Sequence, residues 1–222
     1  MVIAVLLLLA GLILPVLARA REAARKTACM SNLRQIGMAF RLYVDDWDTC
    51  FPNTDDPYRW MGRHWRWPLQ PYLRLHAARD PEAPDDPDRS AHNRPDILIC
   101  PSDASARRKW DATSYAYSAA FYHTPAQVNA MTKDDLYQLD RFPCVTQSEV
   151  GVEYPDKKVL GGEWLTNHDA VAAGWWDWAG SRNYLFVDGH VRYLPARRVL
   201  PAVDGYPDPN LTVDGIGGQD LP

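Results

Sequence analysis

The N-terminal part of the chain carries two hydrophobic patterns that follow each other without a break. Residues 1–18 have no ionisable side chain, Pro15 is their only helix breaker, and they just reach the length of a bilayer-spanning helix. Beyond them, apolar residues recur every three or four positions, as on one face of an amphipathic helix. A single helix of roughly 70 Å is therefore predicted over residues 1–47, with its second half outside the membrane. The stripe on that half consists of Leu33, Ile36, Gly37, Phe40, Tyr43, Val44 and Trp47.

Alternating apolar and polar residues on both sides of Asp188-Gly189 predict a β-hairpin near the C-terminus. Asp-Gly between such runs favours a two-residue turn, because both turn positions need positive φ. In that register Leu185 lies opposite Arg192. Asp188 and Gly189 are therefore interpreted as a hairpin motif rather than as part of a catalytic site.

The remaining pattern divides the chain into three parts. Residues 1–18 are the transmembrane half of the N-terminal helix, residues 19–48 are its amphipathic continuation, and residues 49–222 form one globular α+β domain. Residues 80–96 are rich in Pro and Asp and predict an exposed loop. An irregular, solvated tail is predicted from residue 195.

Charge and motifs exclude several classes of protein. The formal net charge is −4, from 24 Lys and Arg against 28 Asp and Glu, and the basic residues form no stripe that would bind nucleic acid. No Gly-x-Ser-x-Gly, Gly-Lys-Ser/Thr or Gly-x-Gly-x-x-Gly motif occurs. We therefore expect no catalytic residue, no enzymatic activity, no metal and no cofactor other than calcium at the tail.

Calcium is a weak candidate ligand of the C-terminal tail, because oxygen-rich loops can hold this ion. The spacing does not fit an EF-hand, and a solvated tail explains the composition as well. The oxygen-bearing residues in question are Asp204, Asp208, Asn210, Asp214 and Asp220.

A second polar cluster contains the ligand types that divalent metals prefer, but its spacing matches no helix-borne ligand pair. It is interpreted as a polar loop, and its members are Glu163, His168, Asp169 and Asp177. A third candidate function is that of an extracytoplasmic hydrolase that uses His168, Asp188 and His190.

The four cysteines have no Cys-x-x-Cys spacing, so a zinc ribbon or a thioredoxin-like centre is not predicted. In an extracytoplasmic domain, any two of Cys50, Cys100 and Cys144 could form a disulfide. Cys29 lies on the predicted helix and is interpreted as a small packing residue.

A cluster of tryptophans offers a ligand-binding surface. Trp175, Trp176 and Trp178 are too close in sequence for alternation to bury all three on one face. Aromatic platforms bind sugars and peptides, so a membrane-tethered or secreted module that binds a glycan or peptide is the alternative function. Ala18-Arg19-Ala20 also has the form of a signal peptidase site, which would release such a module.

Five segments together resemble one known family. The sequence from residue 2 to residue 52, VIAVLLLLAGLILPVLARAREAARKTACMSNLRQIGMAFRLYVDDWDTCFP, resembles the N-terminal part of type IV pilin-like proteins. The likeness is to the DUF1559-like, prepilin-type processing-associated group of planctomycete-type bacteria, whose members are similar to type II secretion pseudopilins. Four further segments continue it: LICPSD (98–103), TSYAYSA (113–119), KKVLGGEW (157–164) and NYLFVDGHVRYL (183–194).

The resemblance implies a pilin-like fold, in which the long helix packs on a globular domain with an antiparallel sheet. It implies a structural subunit of the inner membrane, with its domain in the periplasm or at the cell surface. Such a subunit assembles with itself and other pilin-like subunits into a pseudopilus or pilus-like filament, and prepilin peptidase and an inner-membrane assembly platform are its further partners. Pro15 would be a local unwinding point within the helix bundle, whose other residues would be Leu6, Leu7, Leu8, Leu9, Leu12, Ile13 and Leu14.

The chain departs from the family pattern at two places. The family has a histidine ten residues before its Asp-Gly pair, and this chain has Trp178 there. The basic leader, the Gly cleavage site and the Phe-Thr-Leu-Ile-Glu sequence of the family do not precede the apolar run. We therefore expect the natural start of the protein to lie upstream of Met1.

Overall fold

A single long helix begins the chain, as predicted. The computed structural model describes residues 2–53, 64–73, 96–106, 113–137 and 141–222. Helix α1 spans Val2–Asp46 and continues through Pro15, so the chain does not unwind there.

Parts of the sequence-based prediction fall outside this description. The predicted loop over residues 80–96 does so except for Asp96, and so do the side chains of Leu6, Leu7 and Leu8. Among the residues that the structure describes, no helix is both long and apolar enough to cross a membrane.

The second half of α1 packs against the domain through the predicted stripe. Leu33, Ile36, Phe40 and Val44 are each at most 2% exposed and belong to the main hydrophobic core. Trp47 is an exception, because α1 ends at Asp46 and the indole is 57% exposed in the turn that follows. The period of the apolar residues therefore predicted the buried face of the helix, but placed its end one residue too late.

A four-stranded antiparallel sheet covers this face, in the order β1-β2-β3-β4. It confirms the α+β class. The strands are β1 (Tyr115–Tyr117), β2 (Val159–Glu163), β3 (Ser181–Phe186) and β4 (Val191–Pro195). The other α-helices of the described residues are α2 (Gln70–Leu73) and α3 (Pro125–Ala130). Short 3₁₀ helices are His64–Arg66, Asp96–Leu98, Ala119–Phe121, Lys133–Tyr137, Glu149–Gly151, Ala196–Arg198, Pro209–Leu211 and Gly215–Gly217.

Glycines allow the close approach of β2 to both of its neighbours. A Cβ on Gly161 would lie 2.6 Å from the Ala116 oxygen, and one on Gly162 would lie 2.6 Å from the Asn183 oxygen. Each contact is with backbone, which cannot move without disturbing the sheet. The Gly161-Gly162 pair is therefore required by the close pairing of β1, β2 and β3.

The predicted hairpin is present, but its predicted register is wrong by one residue. Leu185 pairs with Val191, not with Arg192, which pairs with Tyr184. Gly189 adopts φ +89° and its N–H donates to the Phe186 oxygen, as in a three-residue turn rather than a two-residue one. The extra turn residue shifts every pair by one position.

The C-terminal tail is irregular as predicted, but it is packed rather than solvated. Asp208, Asn210, Leu211 and Asp220 are all buried, and Asp220 accepts from the Val159 N–H at 2.7 Å. The tail therefore forms part of the structure around the sheet, because its polar groups find partners inside the domain. Composition alone cannot show such pairing.

A buried ion pair joins this tail to the sheet. Lys158 Nζ lies 3.3 Å from Asp220 Oδ2, and both side chains are at most 3% exposed. Burial lowers the pKa of Lys158, and the charge and hydrogen bond of Asp220 act in the opposite direction. Replacing only one partner would leave an uncompensated charge in the interior, which is strongly destabilising.

The Gly161→Ala substitution should lower the free energy of unfolding by about 1–3 kcal/mol, because the added methyl collides with backbone. The matched control is Gly11→Ala, where nothing lies within 4 Å of the added Cβ. Urea unfolding of both variants measures the difference. Equal stabilities would contradict the close approach of β1 and β2.

Asp208 makes the stability of the domain depend on pH. Burial, with the nearby Asp204 charge, raises its pKa from 3.8 to about 7, although Asn210 hydrogen bonds oppose the rise. A raised carboxyl pKa contributes stability that is fully present below pH 3.8 and is lost as the pH rises through about 7. Asp208→Asn should remove that loss, which amounts to a few kcal/mol.

Urea unfolding at pH 5 and pH 9 tests this, and the quantity compared is the difference between the two pH values. Asp204→Asn should give an intermediate result, because it removes only the neighbouring charge. A loss of stability in Asp208→Asn as large as that of the parent would show that another group causes it.

Candidate functional site

A disulfide between Cys29 and Cys100 fixes α1 to the domain. The two Cα atoms are 5.2 Å apart and both side chains are fully buried. Cys29 precedes Leu33 by one helical turn, so it extends the buried stripe towards the N-terminus. The bond closes a loop of 71 residues, which in the chain-entropy description stabilises the fold by about 4 kcal/mol.

This bond corrects the prediction for the cysteines. Cys29 is a disulfide partner rather than a packing residue only, and Cys100 does not pair with Cys50 or Cys144. The last two are partly buried and form no disulfide within the described part of the chain. The sequence did contain the signal, since Cys29 continues the spacing of the apolar stripe, which faces the domain.

His168 lies next to this disulfide, in the loop between β2 and β3. Its ring Nδ1 is 2.6 Å from Glu22 Oε1, and its Nε2 is 3.1 Å from Glu163 Oε1 and 3.2 Å from Cys100 Sγ. The imidazole is 1% exposed. The Tyr193 hydroxyl donates to the His168 backbone oxygen at 3.2 Å, which ties the loop to β4. Residues from four separate segments therefore meet at one ring.

One carboxylate oxygen of Glu163 is hydrogen-bonded to the sheet, and the other has no hydrogen bond. It is the last residue of β2 and fully buried. Its Oε2 accepts from the backbone N–H and the side-chain amide of Asn183, both at 2.9 Å, and its backbone oxygen accepts from Trp175 Nε1 at 2.6 Å. Its Oε1 is buried without a hydrogen-bond partner, because the contact with His168 lacks hydrogen-bond geometry.

Glu22 is the counterpart of Glu163 on α1, two helical turns before Cys29. Besides His168, its Oε1 accepts from the Ser102 hydroxyl at 2.8 Å, and its Oε2 lies 3.3 Å from Arg25. Ser102 follows Cys100 closely in the chain. The disulfide and the Glu22 contacts therefore link the same two segments.

The two carboxylates favour the charged form of His168. Burial opposes the imidazolium, but the Glu163 carboxylate, whose Oε1 lies 3.1 Å from Nε2, and then the hydrogen bond and charge of Glu22 raise the pKa of His168 above 6.5. Burial likewise opposes the ionised form of Glu22, yet His168 and Ser102 lower the pKa of that carboxyl. The two carboxylates therefore stabilise the imidazolium of His168 relative to its neutral form.

An open cavity of about 240 Å³ lies between α1 and His168. It is lined by Arg19, Glu22, Ala23, Lys26 and His168. Lys26 Nζ also lies 4.3 Å from the centre of the Tyr193 ring. The cavity therefore lies next to the site, although Cys29, Cys100 and Glu163 do not line it.

The sequence model of one family matches residues 18–171, more than two thirds of the chain; its description is "Protein of unknown function (DUF1559)". The chain belongs to the DUF1559 family. No curated protein and no solved structure matches it. Glu22, Cys29, Cys100, Glu163 and His168 all lie within the matched range.

The other predicted site residues of this DUF1559 protein do not converge in the same way. Trp175 is fully buried, so the predicted tryptophan surface retains only Trp176 and Trp178, each 38% exposed. The indole of Trp175 is used internally, as the donor to Glu163. The prediction that Trp175 belongs to a ligand surface is wrong.

The polar loop predicted around His168 is also corrected in part. Glu163 and His168 meet, because β2 ends where the loop folds back, whereas Asp169 and Asp177 join no metal-ligand group within the described residues. His190 pairs with Asp188 at 2.6 Å in the hairpin turn. His168, by contrast, contacts Glu22 and Glu163, so the two histidines have different carboxylate partners.

The tail residues considered for calcium have separate partners. Asp220 contacts Lys158, and Asp214 accepts from the side-chain amide of Asn129 at 2.9 Å. Within the described part of this DUF1559 protein, no three acidic residues of the tail form a ligand group.

The Glu163→Gln substitution should lower the pKa of His168, because it removes the carboxylate charge that most favours the imidazolium. A raised histidine pKa gives stability that is fully present below about pH 6.5 and is lost as the pH rises through the pKa of the folded state. The variant should therefore lose less stability than the parent over that pH range. The measurement is urea unfolding at pH 6 and pH 9 together with NMR titration of the histidine rings.

The matched control is Asp188→Asn, which removes the carboxylate of the exposed Asp188–His190 pair. It should leave the titration of His168 unchanged. If Glu163→Gln and Asp188→Asn shifted the His168 titration equally, the assignment of Glu163 as its main partner would be refuted.

Proposed function

We propose that this DUF1559 protein is a pilin-like structural subunit that assembles through the first part of α1. In this proposal the apolar segment lies in the inner membrane before assembly, and the domain lies in the periplasm or at the cell surface. During assembly the segment packs against the same segment of neighbouring subunits in a pseudopilus or type IV pilus-like filament.

One observation carries the proposal: α1 has two halves with opposite surroundings. From Cys29 to Val44 its apolar stripe is covered by the domain, whereas residues 11–21 are exposed on every side. The large apolar side chains of the first half that the structure describes are between 43% and 74% exposed. They are Ile3, Leu9, Leu12, Ile13, Leu14, Val16 and Leu17.

Such exposure is costly in water. Complete burial of a Val, Leu or Ile side chain contributes about 1.5–3 kcal/mol, so these seven side chains together represent on the order of 10 kcal/mol of unrealised burial. Soluble monomers rarely keep a continuous apolar surface of this kind. Lipid or the helices of other subunits would cover it, and both belong to the proposed cycle.

The disulfide supports the proposed location of the domain. Disulfides persist in oxidising compartments such as the bacterial periplasm and are rare in the cytosol. Cys29 lies eleven residues beyond Ala18, or about 16 Å along the helix, which places it outside a membrane-embedded segment that ends there.

The alternative, a glycan- or peptide-binding module, has less support. Its predicted platform is reduced to Trp176 and Trp178. Moreover, the ring of Trp176 folds over Gly174, so that a Cβ there would lie 2.5 Å from it. The exposed apolar surface of the first half of α1 is larger than the one that Trp176 and Trp178 offer.

Glutamates at Leu12 and Val16, one helical turn apart on the exposed part of α1, should abolish assembly because they would be buried unpaired in a helix bundle. The domain should keep its unfolding midpoint, since neither side chain contacts its core. In-cell crosslinking and recovery of filaments measure assembly; urea unfolding measures the domain.

The matched control is the double variant Leu12→Met and Val16→Ile, which changes the same positions but keeps them apolar. It should assemble like the parent and remain in the membrane fraction. Filaments that still formed from the Glu variant would refute the proposed role of α1.

A further inference from the structure

The two cysteines of the disulfide lie beside Glu163 and His168, and all four side chains are of types that bind metal ions. One ligand atom from each of Cys29, Cys100, Glu163 and His168 lies within 4.8 Å of the other three. Among the described residues, no other group of three or more His, Cys, Asp and Glu side chains lies close enough together to share one metal ion. Two sulfurs, an imidazole nitrogen and a carboxylate oxygen form a donor set that suits tetrahedral zinc.

We propose that the reduced thiols of Cys29 and Cys100, together with Glu163 and His168, form a binding site for a zinc-like divalent cation, which formation of the disulfide abolishes. The site has two exclusive states, one covalent and one metal-bound. This inference goes beyond the proposed assembly function and does not depend on it.

Three of the four donor atoms already have spacings close to those of a coordination shell, whereas the two sulfurs, which are bonded to each other, would have to separate to about 3.8 Å after reduction. Tetrahedral zinc, with bonds of 2.0–2.3 Å, separates N from S by about 3.6 Å and N from O by about 3.4 Å. His168 Nε2 lies 3.2 Å from Cys100 Sγ and 3.1 Å from Glu163 Oε1. Movements of a few tenths of an ångström would bring these three atoms to the required separations.

Glu163 provides an independent indication of a ligand. It is fully buried, and its Oε2 is satisfied by two donors of Asn183, whereas its Oε1 faces His168 and Cys100 without a hydrogen bond. A buried carboxylate oxygen without a donor costs free energy. A cation between Oε1 and the sulfurs would satisfy this oxygen.

His168 is oriented as a metal ligand requires. Its Nδ1 contacts Glu22 Oε1 at 2.6 Å, which leaves Nε2 directed at Cys100 and Glu163. A carboxylate that accepts from the second ring nitrogen fixes the tautomer and the ring orientation of metal-bound histidines. Glu22 is held in turn by the Ser102 hydroxyl, so it acts as a positioning residue.

The cavity lined by Arg19, Glu22, Ala23, Lys26 and His168 lies beside the buried site, on the side from which a cation or a reductant would have to approach. A dithiol reductant supplies two electrons and two protons. The Cys29–Cys100 bond breaks, a disulfide forms in the reductant, and the two new thiols release their protons when the cation binds. The reverse step releases the cation, and a disulfide oxidant accepts the two electrons.

The experiment uses the full chain in detergent micelles, with Cys50→Ser and Cys144→Ser introduced so that only the pair of interest is available. A phosphine reductant keeps the thiols reduced, because it competes little for zinc. Zn²⁺ affinity is measured by competition with a chromophoric chelator. Co²⁺ replaces Zn²⁺ to reveal thiolate ligands by their charge-transfer absorption.

We expect one Zn²⁺ per reduced chain, bound on the order of 100-fold more tightly than by the disulfide form. His168→Asn and Glu163→Gln should each weaken binding while the thiolate absorption of Co²⁺ remains. Glu22→Gln should weaken it by about 10-fold, as expected of a positioning carboxylate. His190→Asn, at the exposed Asp188–His190 pair, is the matched control and should bind like the parent.

Three results would overturn the proposal. Equal Zn²⁺ affinity of the reduced and disulfide forms would show that the sulfurs are not ligands. Parent-like binding by both His168→Asn and Glu163→Gln would place the cation elsewhere. Loss of near-UV circular dichroism on reduction, without recovery on addition of Zn²⁺, would show that the reduced chain forms no such site.

Discussion

The apolar stripe of α1 between Cys29 and Val44 is the surface on which the rest of the domain depends. β3 crosses it so closely that a Cβ on Gly37 would lie 2.8 Å from Leu185 Cδ1. β2 pairs with β3 on one side and with β1 on the other, and the glycines at positions 161 and 162 allow the close backbone contacts. A domain built in this way cannot separate from its helix without losing its core, so the exposed first half of α1 is held rigidly by the folded second half.

The site around His168 lies where α1 leaves the domain. Residues 11–21 are exposed, and Glu22 is the first residue of this region that the domain partly covers. The Glu22–His168 contact therefore lies next to the projecting segment, and the Cys29–Cys100 bond lies two helical turns further along α1. A change of state at the disulfide would act on the junction between the domain and the helix.

The sequence was informative where one segment carries the whole signal. The period of the apolar residues predicted α1 and its buried face, and Asp188-Gly189 predicted the hairpin. The register was missed, because Asp-Gly occurs in three-residue turns as well as in two-residue ones; the Gly189 N–H bond to the Phe186 oxygen and the lack of a positive φ at Asp188 distinguish them here. Cys29 was misinterpreted because the apolar stripe was taken to begin at Leu33, although Cys29 lies one helical turn earlier on the same face.

The site itself was beyond local patterns, since its members come from segments that are far apart in the chain. His168 and Glu163 looked like parts of a polar loop, because no helical spacing relates them. Their meeting depends on the end of β2, on Asn183 in the next strand and on the Tyr193 contact with the loop. A buried carboxylate with one satisfied oxygen and one open oxygen can be recognised only after these strands are paired. The tertiary fold is thus what turns four unremarkable sequence positions into a set of ligands.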